Sequence, residues 1–119
     1  MEIFKEYTFD SAHYLPNVSD DHKCKNVHGH TYHLTLYFEG EIDPVYGWII
    51  DFAEIKKIVE PTIQLLDHKF LNEIVGLENP TCERMSMWLW NEIKPKIPVL
   101  SKIKLKETPT SGAIYTGDN

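Results

Sequence analysis

The chain contains few of the residues that mark secreted, nucleic-acid-binding or membrane proteins. Two cysteines, Cys24 and Cys82, are too few for the disulfide framework of a small secreted domain. Only one of the twelve basic residues is an arginine, and the lysines are dispersed rather than gathered with aromatic residues into a stripe. No hydrophobic run approaches the length that spans a bilayer, and the N-terminus has no apolar signal core. These absences predict a cytoplasmic protein that binds neither nucleic acid nor membranes.

Net charge and chain length further limit the classes of protein that fit this sequence. A formal net charge of −6 opposes binding to a nucleic-acid backbone. The 42% hydrophobic and 25% charged residues are an ordinary globular balance. A length of 119 residues predicts a single domain over 1–119, with a core but little room to enclose a deep pocket within one copy.

Hydrophobic patterns along the chain predict an α+β domain. Strands are expected at 3–14, 31–38, 103–106 and 113–116. Asp51 should begin a first helix that Pro61 kinks or interrupts, and Thr81 should begin a second. The predicted order is ββααββ, an antiparallel sheet with two helices on one face. Because exposed sheet edges are usually closed or paired with another chain, a homo-oligomer is expected.

Three histidines near the N-terminus form the strongest functional pattern. A single residue separates His28 from His30, so in an extended strand both imidazoles lie on the same face. His13 lies in the preceding predicted strand, and two neighbouring strands could offer all three imidazoles to one metal ion. Three histidines with an open fourth position are typical of catalytic zinc.

Cys24 allows a second interpretation, a metal site with four protein ligands. It precedes His28 by four positions in a polar loop, so its thiolate could complete a closed, structural site with the three imidazoles. His22 and His33 are interpreted as histidines without a metal role. In a regular strand His33 falls on the face opposite to His28, which supports leaving it out.

Two further segments carry residues that could transfer protons. Asp67 directly precedes His68, and at a helix end the chain can turn enough for the carboxylate to hold the imidazole in one tautomer. The same dipeptide is also common at solvated helix ends. Glu107 shares the apolar face of the strand with Ile103 and Leu105, where a carboxylate belongs either to a site or to a frayed strand end.

Taken together, these residues resemble a known family. The segments that carry the resemblance are Ser11-Ala12-His13, Cys24 to His30, Trp48 to Phe52, Leu66-Asp67-His68, Glu78 to Thr81 and Lys106-Glu107-Thr108. With these segments in this order, the chain resembles the 6-pyruvoyltetrahydropterin synthase superfamily from Phe4 to about Tyr115. The resemblance implies a tunnelling fold (T-fold) in which three subunits join their sheets into a barrel. It also implies that trimers often stack into hexamers and that active sites lie between subunits.

The resemblance further implies a reaction and a Zn²⁺ cofactor. The substrate of the superfamily is the pterin 7,8-dihydroneopterin triphosphate. The short spacing between Cys24 and His28 favours the members that form 6-carboxytetrahydropterin, acetaldehyde and triphosphate in queuosine and 7-deazapurine biosynthesis. Two alternatives stay open: elimination of triphosphate alone, which gives 6-pyruvoyltetrahydropterin, and a non-catalytic, zinc-stabilised pterin-binding module.

The same resemblance assigns roles to individual residues. Zinc would chelate the hydroxyls of the substrate side chain. The implied site consists of the zinc ligands His13, His28 and His30, the base Cys24, the proton relay His68 oriented by Asp67, the pterin anchor Glu107, which could join the relay, and the pocket-lining Thr81 and Glu83.

Overall fold

The computed structural model describes residues 1–118, and its main layer is a five-stranded sheet. The strands are β1 (Glu2–His13), β2 (His28–Glu39), β3 (Lys69–Phe70), β4 (Leu100–Thr108) and β5 (Ser111–Tyr115), in the spatial order β3-β1-β2-β4-β5. All neighbours are antiparallel except β1 and β3, which are parallel. The predicted α+β class is confirmed.

Two helices pack on one face of the sheet. Helix α1 spans Phe52–Gln64 and helix α2 spans Cys82–Ile93. Their N-caps are the predicted ones: the Asp51 side chain accepts a hydrogen bond from the backbone of Ala53, and Thr81 accepts one from Arg84. Both caps satisfy backbone N–H groups that have no partner within the helix. The second cap matters for function because it fixes the chain directly after Pro80.

The core lies between the two helices and one face of the sheet. Every second residue of the strands points to this face. Phe9, Tyr32, Leu34, Leu36 and Phe38 come from β1 and β2, and all are at most 2% exposed. They pack against buried residues of both helices: Ile55, Val59 and Ile63 of α1, and Met85, Leu89 and Ile93 of α2. The other face of the sheet, here called the outer face, carries exposed residues such as Asp10, Thr31 and His33.

Two details differ from the prediction. Pro61 does not interrupt α1, which continues to Gln64; a kink at Pro61 stays a prediction. The two residues after Pro61, Thr62 and Ile63, are buried, and their packing outweighs the hydrogen bond that proline removes. Strand β3 was not predicted, because two residues are too short for an alternating pattern to be recognised.

In the described part of the chain, no helix combines the length and apolar character needed to cross a membrane.

Candidate metal centre and active site

The predicted histidine cluster continues the core-facing row of β1 and β2. In the antiparallel register Phe9 lies opposite Tyr32, Ser11 opposite His30, and His13 opposite His28. Paired residues of neighbouring strands project to the same face, so the apolar row changes to imidazoles at the end of the ladder. His33 points to the outer face and is exposed, as expected. The strand periodicity therefore places the three predicted metal ligands together.

The three imidazoles converge on one point. The ring centroids of His13, His28 and His30 lie 4.7, 5.1 and 4.9 Å apart in the three pairs, and all three ring pairs are steeply inclined to one another. One ring nitrogen of each histidine lies within 4.8 Å of the others. The Nε2 atoms of His13 and His28 are 3.1 Å apart. Two ligands of a tetrahedral zinc with bonds of 2.0–2.1 Å are separated by about 3.3–3.4 Å, close to that distance.

Backbone carbonyls select the tautomers that a metal site needs. Nδ1 of His13 lies 3.0 Å from the carbonyl oxygen of Pro80, and Nδ1 of His28 lies 2.7 Å from that of Asn26. Each Nδ1–H donates to its carbonyl, which leaves an Nε2 lone pair on both rings. Two lone pairs that face each other at 3.1 Å repel unless a cation or a proton lies between them. This donor set fits a divalent metal ion.

The charge state of the rings agrees with metal binding. His13 is 1% exposed, and burial lowers its pKa from the usual 6.5 to about 4. Burial also lowers the pKa of His30; nearby Glu107 opposes this shift, while His28 adds to it. Neutral imidazole is the form that coordinates metals, so these two rings are prepared to bind one at neutral pH.

Glu107 is the carboxylate that the structure brings to this cluster. Its Oε1 lies 3.5 Å from Nε2 of His13 and 3.6 Å from Nε2 of His30, and its side chain is 26% exposed. It projects from the core-facing side of β4 beyond Ile103 and Leu105, as the alternation predicted. The sequence left open whether Glu107 belongs to a site, and its position beside the imidazoles favours a site.

Cys24 lies near the cluster but outside its ligand group. It is half-buried in a 3-10 turn over Lys23–Lys25. Its carbonyl accepts a hydrogen bond from the backbone of Leu15, two residues after His13, and its own N–H donates to the His22 ring. Within residues 1–118, the group formed by the three histidines does not include the Cys24 thiol. Among these residues, the three imidazoles therefore form the candidate ligand group without the thiol.

Asp67 and His68 form the predicted pair. Oδ1 of Asp67 lies 3.0 Å from Nδ1 of His68, and His68 adopts a left-handed backbone conformation with φ of 58°. This conformation is unusual for a residue other than glycine. A hydrogen bond from the backbone of Asp10 lowers the pKa of Asp67, and His68 lowers it further. The Asp67 carboxylate therefore orients an exposed imidazole, that of His68.

The turn that carries this pair is tied to β1. The Ser11 hydroxyl donates to the carbonyl of Leu66 at 2.6 Å, and the backbone N–H of His68 donates to the carbonyl of Asp10 at 2.6 Å. Both His68 and His30 line an open cleft of about 610 Å³ along the edge formed by β3, β1 and β2. In one chain, the pair groups with Asp10 rather than with the three-histidine cluster.

The two remaining predicted residues lie at the start of α2. Thr81 directly follows Pro80, whose carbonyl orients His13, and its hydroxyl is engaged in the helix cap. Glu83 is exposed in the first turn of α2 and lines a groove between this helix and β5. Their predicted contact with the pterin stays a prediction.

The sequence analysis assigned no role to three further residues that shape the site. Pro80 and Asn26 act through their backbone carbonyls, which any residue type would supply. Asn72 binds the backbone on either side of the cluster through its side-chain amide. Only the fold brings these groups to the histidines.

The chain is similar to known proteins over most of its length. A profile of the family described as 6-pyruvoyl tetrahydropterin synthase matches residues 2–118. A Synechocystis protein named 6-carboxy-5,6,7,8-tetrahydropterin synthase is 33% identical over 95% of this chain and 91% of its own length. A Pyrococcus furiosus protein named dihydroneopterin monophosphate aldolase is 35% identical over 87% and 82%. Human 6-pyruvoyl tetrahydrobiopterin synthase is 31% identical over 98% and 92%.

A solved structure shows the same fold over nearly the whole chain. The 6-pyruvoyl tetrahydropterin synthase of Caenorhabditis elegans superposes with a TM-score of 0.92 at 27% identity. The match covers 99% of this chain and 96% of that one.

Proposed function

Because the chain belongs to the 6-pyruvoyl tetrahydropterin synthase family, we propose that it is a zinc-dependent lyase acting on 7,8-dihydroneopterin triphosphate. Its products are 6-carboxy-5,6,7,8-tetrahydropterin, acetaldehyde and triphosphate, and it serves queuosine and 7-deazapurine biosynthesis. The observation that carries this proposal is the cluster of three imidazoles, two of which are oriented by backbone carbonyls so that their Nε2 atoms face each other.

His13, His28 and His30 would hold the metal. Three neutral nitrogen ligands with an open fourth position are the donor set of catalytic zinc. When bound, zinc supplies Lewis acidity to the hydroxyl oxygens of the substrate side chain and thereby acidifies the neighbouring C–H bond. The carbonyls of Pro80 and Asn26 keep the imidazoles of His13 and His28 in the ligating tautomer.

Cys24 is the base and His68 the proton relay. The Cys24 thiolate removes the carbon-bound proton, and its anchoring to Leu15 keeps it beside the end of β1, where His13 lies. His68 passes protons while the Asp67 carboxylate holds Nδ1–H of the ring at 3.0 Å, which leaves Nε2 to exchange the proton. Within one chain, Asp67 and His68 group with Asp10 rather than with the three histidines, which supports a site that takes the pair from a neighbouring subunit.

Glu107 anchors the pterin. A carboxylate can accept two hydrogen bonds from the guanidine-like edge of the ring. Its position 3.5–3.6 Å from the Nε2 atoms of His13 and His30 would set the ring beside the three-histidine group, and from there Glu107 can join the proton relay. Thr81 and Glu83, at the start of α2, line the pterin pocket.

The choice of product rests on the short spacing between Cys24 and His28 and on a relative that is named for the carboxy product. Relatives named for the pyruvoyl product and for an aldolase match over most of the chain as well. Incubation with dihydroneopterin triphosphate and an acetaldehyde assay decide the product. We expect acetaldehyde; triphosphate release without acetaldehyde would favour 6-pyruvoyltetrahydropterin. No turnover by zinc-loaded protein would favour a pterin-binding module.

Zinc binding has its own test. The purified protein should contain about one zinc per chain, with each histidine nitrogen roughly 2.0–2.1 Å from the metal. His13→Ala should lose zinc and turnover together. His33→Ala is the matched control, because His33 lies on the outer face of the same strand pair and should keep both. Equal zinc loss in the two variants would contradict the assigned ligand set.

The assembly and location of the enzyme follow from the same proposal. We propose that residues 1–119 form one domain and that three or six copies assemble, with active sites between subunits. Among the described residues, β3 covers only Ser11 and Ala12 of β1, and β5 is paired on one side only. Two unpaired edges therefore invite pairing between copies. We place the enzyme in the cytoplasm, since both cysteines are free and suit a reducing compartment.

A further inference from the structure

Asn72 joins two segments of the chain that flank the histidine cluster. Its Oδ1 accepts a hydrogen bond from the backbone N–H of Tyr14 at 3.0 Å, and its Nδ2 donates to the carbonyls of Tyr14 at 2.9 Å and Glu78 at 3.3 Å. We propose that Asn72 is a positioning residue that fixes the imidazole of His13 and thereby sets the zinc affinity of the site. This inference rests on the zinc centre of the proposed function.

The side-chain amide of Asn72 makes the hydrogen bonds to β1 that a further residue of β3 would make. The parallel ladder between β1 and β3 pairs Ser11 with Lys69 and Ala12 with Phe70 and then stops. It stops because the chain enters a 3-10 turn at Leu71, which rotates the next backbone amides away from β1. At this point the side chain of Asn72 donates to and accepts from the backbone of Tyr14, as a strand neighbour would. The end of β1 is thus held in place beyond the last backbone pair.

The third hydrogen bond carries the effect to His13. Tyr14 directly follows His13, and Glu78 lies two residues before Pro80, whose carbonyl accepts from Nδ1 of His13 at 3.0 Å. By binding both Tyr14 and Glu78, Asn72 fixes the separation between the His13 backbone and the carbonyl that orients its ring. If this separation changes, the Nδ1 hydrogen bond weakens and the Nε2 lone pair no longer has a fixed direction. Partners that orient a ligating histidine are worth about 10–100-fold in metal affinity.

The competing interpretation is that Asn72 only stabilises the fold. A structural role lowers the stability of the metal-free protein without a specific effect on the metal, whereas positioning changes zinc affinity and the His13 tautomer. Ser101 provides a matched control, since its hydroxyl donates to the carbonyl of Tyr37 at 3.1 Å and also joins two segments. Ser101 lies at the start of β4, whereas Glu107 of the site lies near the end of that strand.

The experiment compares Asn72→Ala, Asn72→Asp and Ser101→Ala as full-length chains. Asn72→Asp keeps the size and an acceptor for Tyr14 but loses both donated hydrogen bonds. Zinc affinity is measured by competition with a chromophoric chelator, and the His13 tautomer by ¹⁵N NMR of the metal-free protein. We expect both Asn72 variants to bind zinc about 10–100-fold more weakly and to show a mixture of His13 tautomers. Ser101→Ala should match the original protein in both measurements.

Several outcomes would overturn the inference. Folded Asn72 variants with unchanged zinc affinity and tautomer would do so, and so would failure of both variants to fold, which would leave Asn72 a structural role only. An equal loss of affinity in Ser101→Ala would show a general effect of stability. An original protein that binds no zinc would contradict the proposed function instead, and the tautomer measurement would still decide the role of Asn72.

Discussion

At the scale of single residues, metal binding at the site depends on which imidazole nitrogens carry no proton. Burial keeps His13 neutral, and the carbonyl of Pro80 takes its Nδ1–H, so that Nε2 is the atom left to bind. Glu107 adds a negative charge within 3.6 Å of two of the rings. Within residues 1–118, the Cys24 thiol is not part of the three-histidine group, which is consistent with its proposed role as the base.

Replacing Cys24 should separate catalysis from metal binding. Cys24→Ala should keep its zinc and lose roughly 10²–10⁴-fold in turnover, the usual contribution of a positioned base. Cys82→Ala is the thiol control: Cys82 is buried and donates to the carbonyl of Leu105, so its loss should lower stability and leave turnover per folded chain unchanged. Zinc content and steady-state rates measure both effects. Release of zinc from Cys24→Ala would restore the closed-site alternative.

The metal-free protein should lose stability in mild acid. The folded pKa of His13, about 4, lies below its ordinary value of 6.5, so the unfolded chain binds the proton first as pH falls. The contribution of neutral His13 to the free energy of unfolding is therefore complete above pH 6.5. It is lost as the pH falls from 6.5 to about 4, by up to about 3 kcal/mol in total. Urea unfolding of chelator-treated protein across this range measures it. His13→Gln should reduce the pH dependence, and His33→Gln should not.

At the scale of elements, helix α2 serves both the core and the site. Met85, Leu89 and Ile93 bury one side of it, while its cap fixes the chain just after the carbonyl that orients His13. Helix α1 has an equivalent cap at Asp51 that is not next to a predicted ligand. The two helix starts can therefore be compared directly.

Removing each cap should distinguish stability from substrate binding. Thr81→Ala and Asp51→Ala should each lower the free energy of unfolding by about 1 kcal/mol, because each leaves a helical N–H without its side-chain partner. Only Thr81→Ala should also raise KM for the pterin substrate, since only Thr81 is proposed to line the pocket. Denaturant unfolding and steady-state kinetics test the pair. Equal KM values would restrict Thr81 to the cap.

At the scale of the whole molecule, the fold leaves the site open. The match to the C. elegans structure confirms the tunnelling fold that the sequence predicted. A 13.9 kDa chain with an elongated shape, 58 × 25 × 24 Å, has little volume in which to enclose a substrate. The cleft beside His30 and His68 is open, and within residues 1–118 the strand β3 that lines it is paired on one side only. A second copy can supply the missing wall.

Mixing inactive variants should reveal sites shared between subunits. If Cys24 and His68 of different copies form each site, Cys24→Ala and His68→Ala should each be inactive alone. Mixed, refolded together, they should regain part of the activity, because some interfaces combine an intact Cys24 with an intact His68. Light scattering should give three or six times the chain mass of 13.9 kDa. A fully active monomer, or no recovery in verified mixed oligomers, would contradict shared sites.

The sequence by itself predicted both helices, four of the five strands and the shared face of the candidate metal ligands, because these follow from local periodicity. Alternation along β1 and β2 was enough to place His28 and His30 on one face and His33 on the other. The helix caps at Asp51 and Thr81 were equally local, since a cap involves residues only two or three positions apart.

Only the tertiary structure decided how these residues are held. Strand β3 exists because residues 66–70 dock on β1, and Pro61 is tolerated because its neighbours are buried. The carbonyl of Pro80 and the amide of Asn72 reach the end of β1 across more than fifty positions of sequence. Such contacts leave no local pattern, because backbone groups are common to all residues and their partners are chosen by packing of the whole chain.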